Sequence, residues 1–319
     1  MKAILRFLKY TTLLLLVIVI GFCVLNWRSD LPMSELKQKY TNSESEFVEI
    51  DGMQVHYRDE GNDLDSIPLV LIHGTGASLH TWEGWVKSLK DNHRIITFDL
   101  PAYGLTGPNS TGEYSQEYYV SFVYKLLAKL SVKKCILGGN SLGGSITWAY
   151  ALSHPERVKK MILVDAGGYP MTSKSVPIAF QLARIPILSS LFKYVTPRSV
   201  IEKSIHNVYV HDERITKGLI NRYYDLALRE GNRKAFIDRM KNSKNNDNYL
   251  KINSLTMPTL IIWGEQDGLI PITVGNQFHE NLPNDTMIVF KDLGHTPMEE
   301  DPENTVKIVK HFLTQKGSL

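Results

Sequence analysis

Hydrophobic and polar positions along this chain fall into three regimes. The first is almost unbroken apolarity: the eighteen residues between Lys9 and Arg28 carry no charge. At ~1.5 Å per residue a helix of that length spans roughly 27 Å, close to the ~30 Å hydrocarbon thickness of a bilayer. From about Glu46 the pattern changes to short β-rich runs separated by stretches of helical period. "FVEIDG" and "MQVHYRDEG" predict a hairpin, and "PLVLIHG", "RIITFDL", "KCILGGN", "VKKMILVDA", "PTLIIWGEQD" and "TMIVFKDLGH" predict further strands. Several are continuous apolar runs ending in Gly, Asp or His, the pattern of parallel strands buried on both faces with functional groups at their C-terminal ends. Helical periodicity near 79–90, 115–130, 142–152, 272–281 and 303–314 supplies the crossovers. The expected class is α/β, with a mostly parallel, doubly wound sheet. The third regime runs from Gly167 to about Leu250, where helical stretches follow one another without a strand, and predicts an inserted helical cap. The expected organisation is an N-terminal membrane anchor over 1–30, a tether or short helix over 31–45, a core over 46–166, the cap over 167–250 and the rest of the core over 251–319.

The N-terminal run reads as an uncleaved anchor. Lys2, Arg6 and Lys9 would also suit a signal peptide, but Gly21-Phe22-Cys23 is a poor small-x-small cleavage site, Val24 and Leu25 continue the apolar run past it, and Trp27 sits where an interfacial anchor belongs. The basic excess before the run predicts a cytoplasmic N-terminus, with everything after Arg28 on the far side, whether periplasmic, extracellular or lumenal.

Composition narrows the chemistry. With 319 residues, 43% of them hydrophobic, one large core can be filled. A net charge of +3 from scattered basic residues gives no nucleic-acid footprint. Cys23 and Cys135 suggest neither a disulfide framework nor a metal site. "GGNSLGG" lacks a Walker lysine and the acidic partner of a dinucleotide site, so no cofactor and no metal are expected.

The candidate chemistry lies at strand ends. Gly139-Asn140-Ser141-Leu142-Gly143 follows the strand "KKCIL" and opens the helix "GGSITWAYAL". G-x-S-x-G at such a turn makes a nucleophile elbow: the serine is held in a strained conformation, and Gly139 and Gly143 remove the Cβ atoms that would collide. At the helix N-terminus, backbone N–H groups favour a developing negative charge. His73-Gly74-Thr75-Gly76 ends an earlier strand in a turn that offers a second N–H beside that of Leu142. Asp267 and His295 end two later strands. Serine needs a base to take its proton, histidine titrates near neutrality, and a buried carboxylate fixes the imidazole tautomer. Asp165, at the end of "MILVDAGG", is the alternative acid; Asp267 is preferred on position. His73 and Asp99 read as braces for their turns and His154 as a helix end. Tyr223 and Tyr224 read as cap packing, while Arg184, Arg222 and Arg229 are cap cations able to meet a carboxylate.

"HGTGAS", "FDLPAYGLTGP", "GNSLGG", "HPERV", "WGEQDGLIP" and "GHTPMEEDP" together resemble the α/β-hydrolase superfamily over essentially everything after residue 45. "GNSLGG" and "HGTGAS" look like the carbon–carbon bond hydrolases of meta-cleavage pathways, whereas the apolar anchor and cap look like membrane-associated monoacylglycerol lipases and related esterases. The resemblance implies an α/β-hydrolase fold with Ser141 as nucleophile, Asp267 as acid, His295 as base, and Thr75 with Leu142 as oxyanion donors. The expected activity is that of a membrane-anchored serine hydrolase acting on small-molecule esters with apolar acyl groups through an acyl-enzyme. The alternatives are a meta-cleavage hydrolase and a non-catalytic binding protein of the same fold.

Overall fold

Eight strands form one sheet in the computed structural model, which describes residues 1–242 and 247–315. Residues 243–246 of the expected cap and 316–319 of the expected core lie outside the described residues. The strands are β1 (Ser45–Ile50), β2 (Met53–Gly61), β3 (Leu69–Ile72), β4 (Arg94–Phe98), β5 (Cys135–Asn140), β6 (Val158–Val164), β7 (Thr259–Gly264) and β8 (Asp285–Phe290), in the spatial order β1-β2-β4-β3-β5-β6-β7-β8. As the pattern predicts, β1 and β2 form an antiparallel hairpin; β2 is also antiparallel to β4, and the remaining pairs are parallel. Successive side chains of a strand point to opposite faces, and both faces here are covered. Val70 and Ile72 of β3 enter one apolar cluster while Leu69 and Leu71 enter the other.

Helices α1 (Lys2–Leu25), α2 (Met33–Tyr40), α3 (Glu83–Leu89), α4 (Gln116–Lys129) and α5 (Leu142–Ser153) lie before the cap. The cap, between β6 and β7, holds α6 (Ile178–Arg184), α7 (Pro186–Phe192), α8 (Arg198–His206), α9 (Lys217–Ala227) and α10 (Asn232–Asn242). Helices α11 (Ile272–Asn281), α12 (Pro297–Glu300) and α13 (Pro302–Thr314) complete the core. Their starts follow ordinary capping chemistry: Ser115, Thr216 and Asp301 each accept a backbone N–H from the first turn of α4, α9 and α13, and Pro302 pre-sets the backbone of the last.

Helix α1 has no buried residue and is long and apolar enough to cross a membrane. The segment that follows it is tied to the cap. Arg28 donates its N–H to Tyr194 O and Thr196 donates to Asn26 O, giving a short antiparallel pairing of Trp27 with Val195. The Trp27 and Tyr194 rings stack at 5.1 Å. Buried Arg233 donates to Arg28 O and pairs with Asp30 at 2.6 Å. In α2, Leu36 is fully buried against Leu105 and Leu226.

Candidate active site

Ser141 sits between β5 and α5 with φ +56° and ψ −114°. A side chain other than glycine is strained there, and the surrounding structure holds it in place. A Cβ on Gly139 would lie 2.3 Å from the Gly143 carbonyl, and one on Gly143 would lie 2.1 Å from Ile72 O. Both positions are therefore close approaches of backbone to backbone, and the strand-to-helix bend needs them bare.

His295 reaches the same place from the loop after β8. Its Nδ1 lies 2.6 Å from Asp267 Oδ2, and Asp267 Oδ1 accepts the N–H groups of Leu269 and Ile270 at 2.8 and 3.0 Å. Both side chains are buried. Ser141, His295 and Thr75 line one cavity, while Leu142 and Thr75 border a second space that also touches Ser141. The geometry thus gathers Ser141, Asp267, His295, Thr75 and Leu142 at the C-terminal ends of the parallel strands.

Asp165, the alternative acid, stands behind this group. It is fully buried at φ +43°, its Oδ1 accepts the Gly264 N–H at 2.9 Å, and its Oδ2 makes no hydrogen bond. Asp165, Asp267 and His295 offer atoms that all lie within 4.8 Å of one another, and the direct hydrogen bond to the histidine comes from Asp267. Burial, and then the neighbouring Asp267 charge, push the Asp165 carboxyl well above the usual carboxylate range.

Two residues that matter here escaped the reading of the sequence. Asn140 Nδ2 donates to Val164 O at 3.2 Å and to His295 O at 3.0 Å, tying the His295 loop to the strand-to-helix bend at Ser141. Buried Glu300 accepts from Gly294 N, Val210 N and His211 N, which clamps that loop to the cap, and His295 N itself donates to Val208 O. His73 uses both ring nitrogens, on Gly74 O and Leu100 N, and burial lowers its pKa. Asp99 accepts from Leu79 N and Leu105 N and contacts His56 Nδ1.

The cavity over Ser141 has a volume of about 120 Å³ and is walled by cap residues including Phe180, Phe192, Ile205, Leu226 and Phe236. Its one arginine, Arg233, is the one paired with Asp30. Of the cap arginines weighed from the sequence, Arg222 lies 3.6 Å from Glu83 and Arg229 donates to Thr106 O and Glu230 O. Arg184 borders the adjoining space of about 400 Å³, together with Arg239, Gln116 and Trp148. Tyr223 lines the cavity, whereas Tyr224 donates to Thr196 O within the cap.

Residues 67–302 match the family model for the alpha/beta hydrolase fold. The chain is 29% identical over 268 residues to the uncharacterized hydrolase YugF of Bacillus subtilis, covering 83% of this chain and 96% of that one. It is 30% identical over 271 residues to a 2-hydroxy-6-oxononadienedioate/2-hydroxy-6-oxononatrienedioate hydrolase of Paraburkholderia phymatum, covering 82% and 92%. The crystal structure of a bacterial membrane phospholipase A superposes with a TM-score of 0.72 at 23% identity across 98% of both chains, a likeness of fold. The chain belongs to the α/β-hydrolase family and is a hydrolase of that fold.

Proposed function

We propose that this protein is a membrane-anchored serine hydrolase that cleaves carboxylic esters with apolar acyl groups. The observation that supports it most is the pairing of the Ser141, Asp267 and His295 group with a chamber walled by phenylalanine and leucine whose arginine is already neutralised. Helix α1, 24 residues long and wholly unburied, supports the anchor.

The proposed reaction follows from the hydrogen bonds. Because His295 Nδ1–H donates to Asp267, Nε2 is the nitrogen left to take the Ser141 proton. Ser141 Oγ then bonds to the ester carbon, and the carbonyl electrons move onto oxygen, toward the N–H groups of Thr75 and Leu142. When the carbon–oxygen bond to the alcohol breaks, His295 returns its proton to the leaving oxygen. Water, deprotonated by the same nitrogen, attacks the acyl carbon; the bond to Ser141 Oγ breaks, His295 returns the proton to that oxygen, and the acid is released.

A second reading, carbon–carbon cleavage of a vinylogous diketone acid, is favoured by the likeness to the Paraburkholderia 2-hydroxy-6-oxononadienedioate/2-hydroxy-6-oxononatrienedioate hydrolase. Such a substrate needs a cation for its carboxylate, which here would be Arg184 or Arg239 in the adjoining space. The two readings separate on one preparation assayed with p-nitrophenyl esters from acetyl to hexanoyl and with the dienoic acid. We expect kcat/KM to rise with acyl length, by up to about fourfold per CH₂ buried, and Ser141→Ala to lose both turnover and fluorophosphonate labelling. Rapid cleavage of the dienoic acid with negligible activity on every ester would overturn the ester reading.

A further inference from the structure

We propose that the outer face of α6 and α7 is a membrane-docking surface that seats the cap on an anionic lipid bilayer. The inference rests on the reading of α1 as a membrane span.

The first observation is how little chain separates span from cap. Helix α1 ends at Leu25, and Asn26 and Arg28 are already hydrogen-bonded to Thr196 and Tyr194, two to four residues past the end of α7. Trp27 is half exposed and stacked on Tyr194, also half exposed, which places an aromatic pair where the span leaves the hydrocarbon. No slack remains for the cap to stand away from the surface.

The second observation is the character of that face. Ile178, Ile185, Leu188, Leu191 and Tyr194 are exposed, Leu188 and Leu191 within α7 and Ile185 and Tyr194 just beyond its two ends, while Phe180 and Phe192 wall the chamber. Single exposed apolar residues are ordinary, but five of them within seventeen residues of chain beside a span are the mark of an interfacial surface. The third is charge. Residues 166–201 contain no Asp or Glu, and they carry Lys174, Arg184, Lys193 and Arg198. An apolar row flanked by cations alone complements anionic headgroups. Seated so, α6 and α7 lie between lipid and the apolar chamber they help to wall, which suits an acyl substrate drawn from the bilayer.

The test uses the full chain in vesicles of phosphatidylcholine and phosphatidylglycerol. In a Cys23→Ser background, Leu188→Cys carries an environment-sensitive fluorophore, with Leu64→Cys as control, since Leu64 is exposed in the loop before β3 at the opposite ends of the strands. Spin-labelled lipid should quench the label at 188 and leave that at 64 unchanged. Leu188→Glu with Leu191→Glu should lower turnover of a vesicle-borne long-chain ester about tenfold or more and leave turnover of a soluble short ester unchanged. Absence of quenching at 188 in a chain that resists carbonate extraction would overturn the docking surface, whatever the substrate proves to be. Concentration-dependent self-quenching at 188 in place of lipid quenching would assign the face to a second copy and overturn it equally. Extraction by carbonate would instead remove the span reading beneath it.

Discussion

At Asp267 and Asp165 two buried carboxyls stand within reach of one histidine and differ in what they bond. Asp267 touches the imidazole and holds two backbone N–H groups; Asp165 stands behind it, its carboxyl pushed up by burial and by the Asp267 charge. Asp267→Asn should lower kcat on the order of 10⁴-fold, because the amide favours the wrong histidine tautomer. Asp165→Asn, which keeps an acceptor for Gly264 N and carries no charge, should change kcat only a few-fold. The same pair predicts a pH effect with a definite sign. Asp165 ionises near 4 in the unfolded chain and above the ordinary range in the folded one, so between those values the folded state binds the extra proton. Its contribution to stability is complete in acid and is lost as pH rises through the folded value. Urea midpoints measured against pH should fall across that window in the wild type and flatten in Asp165→Asn.

At the scale of elements, the site depends on joints more than on any one helix. Gly143→Ala would drive a methyl into Ile72 O and force α5 off β3, with a destabilisation of about 1–3 kcal/mol or more. Glu300→Ala removes the acceptor of three N–H groups that join the His295 loop to the cap; we expect a loss of about 1–3 kcal/mol, read as a lower melting temperature, together with reduced kcat. These joints differ in how visible they are in the sequence. The elbow is local, a strand, a turn and a helix within consecutive residues, and Gly139 and Gly143 advertise it because only bare backbone fits. The alternation of strands and helices was legible for the same reason, since each run carries its own period. Asn140 and Glu300 act on backbone atoms far away, 155 residues for Asn140 to His295 and 90 for Glu300 to Val210. A carbonyl or N–H partner has no residue type, so nothing in the sequence marks the far end. The docking of residues 26–40 was hidden likewise: part of it is main-chain pairing, and its side-chain ties, Asp30 to Arg233 and Trp27 to Tyr194, join residues more than 160 positions apart whose types alone do not name each other.

Across the whole molecule, the N-terminal segment, the cap and the core form a closed set of contacts. Leu36→Ala should cost about 2–5 kcal/mol, although the residue lies outside the family match at 67–302, while removal of residues 1–25 should leave the melting temperature unchanged because nothing in α1 is buried. Thermal melts of the two variants decide whether the cap needs its N-terminal strap. The sheet order has a consequence in time. Because the cap is inserted between β6 and β7, a growing chain has built Ser141 and the first six strands before it possesses Asp267 or His295, and β6 stays an open parallel edge until Thr259 emerges. At ribosomal rates of roughly 5–20 residues per second, that interval lasts roughly 5–20 s. Throughout it the nascent chain lacks the acid and base proposed for its chemistry, and the open edge of β6 has only the cap being made alongside to shield it.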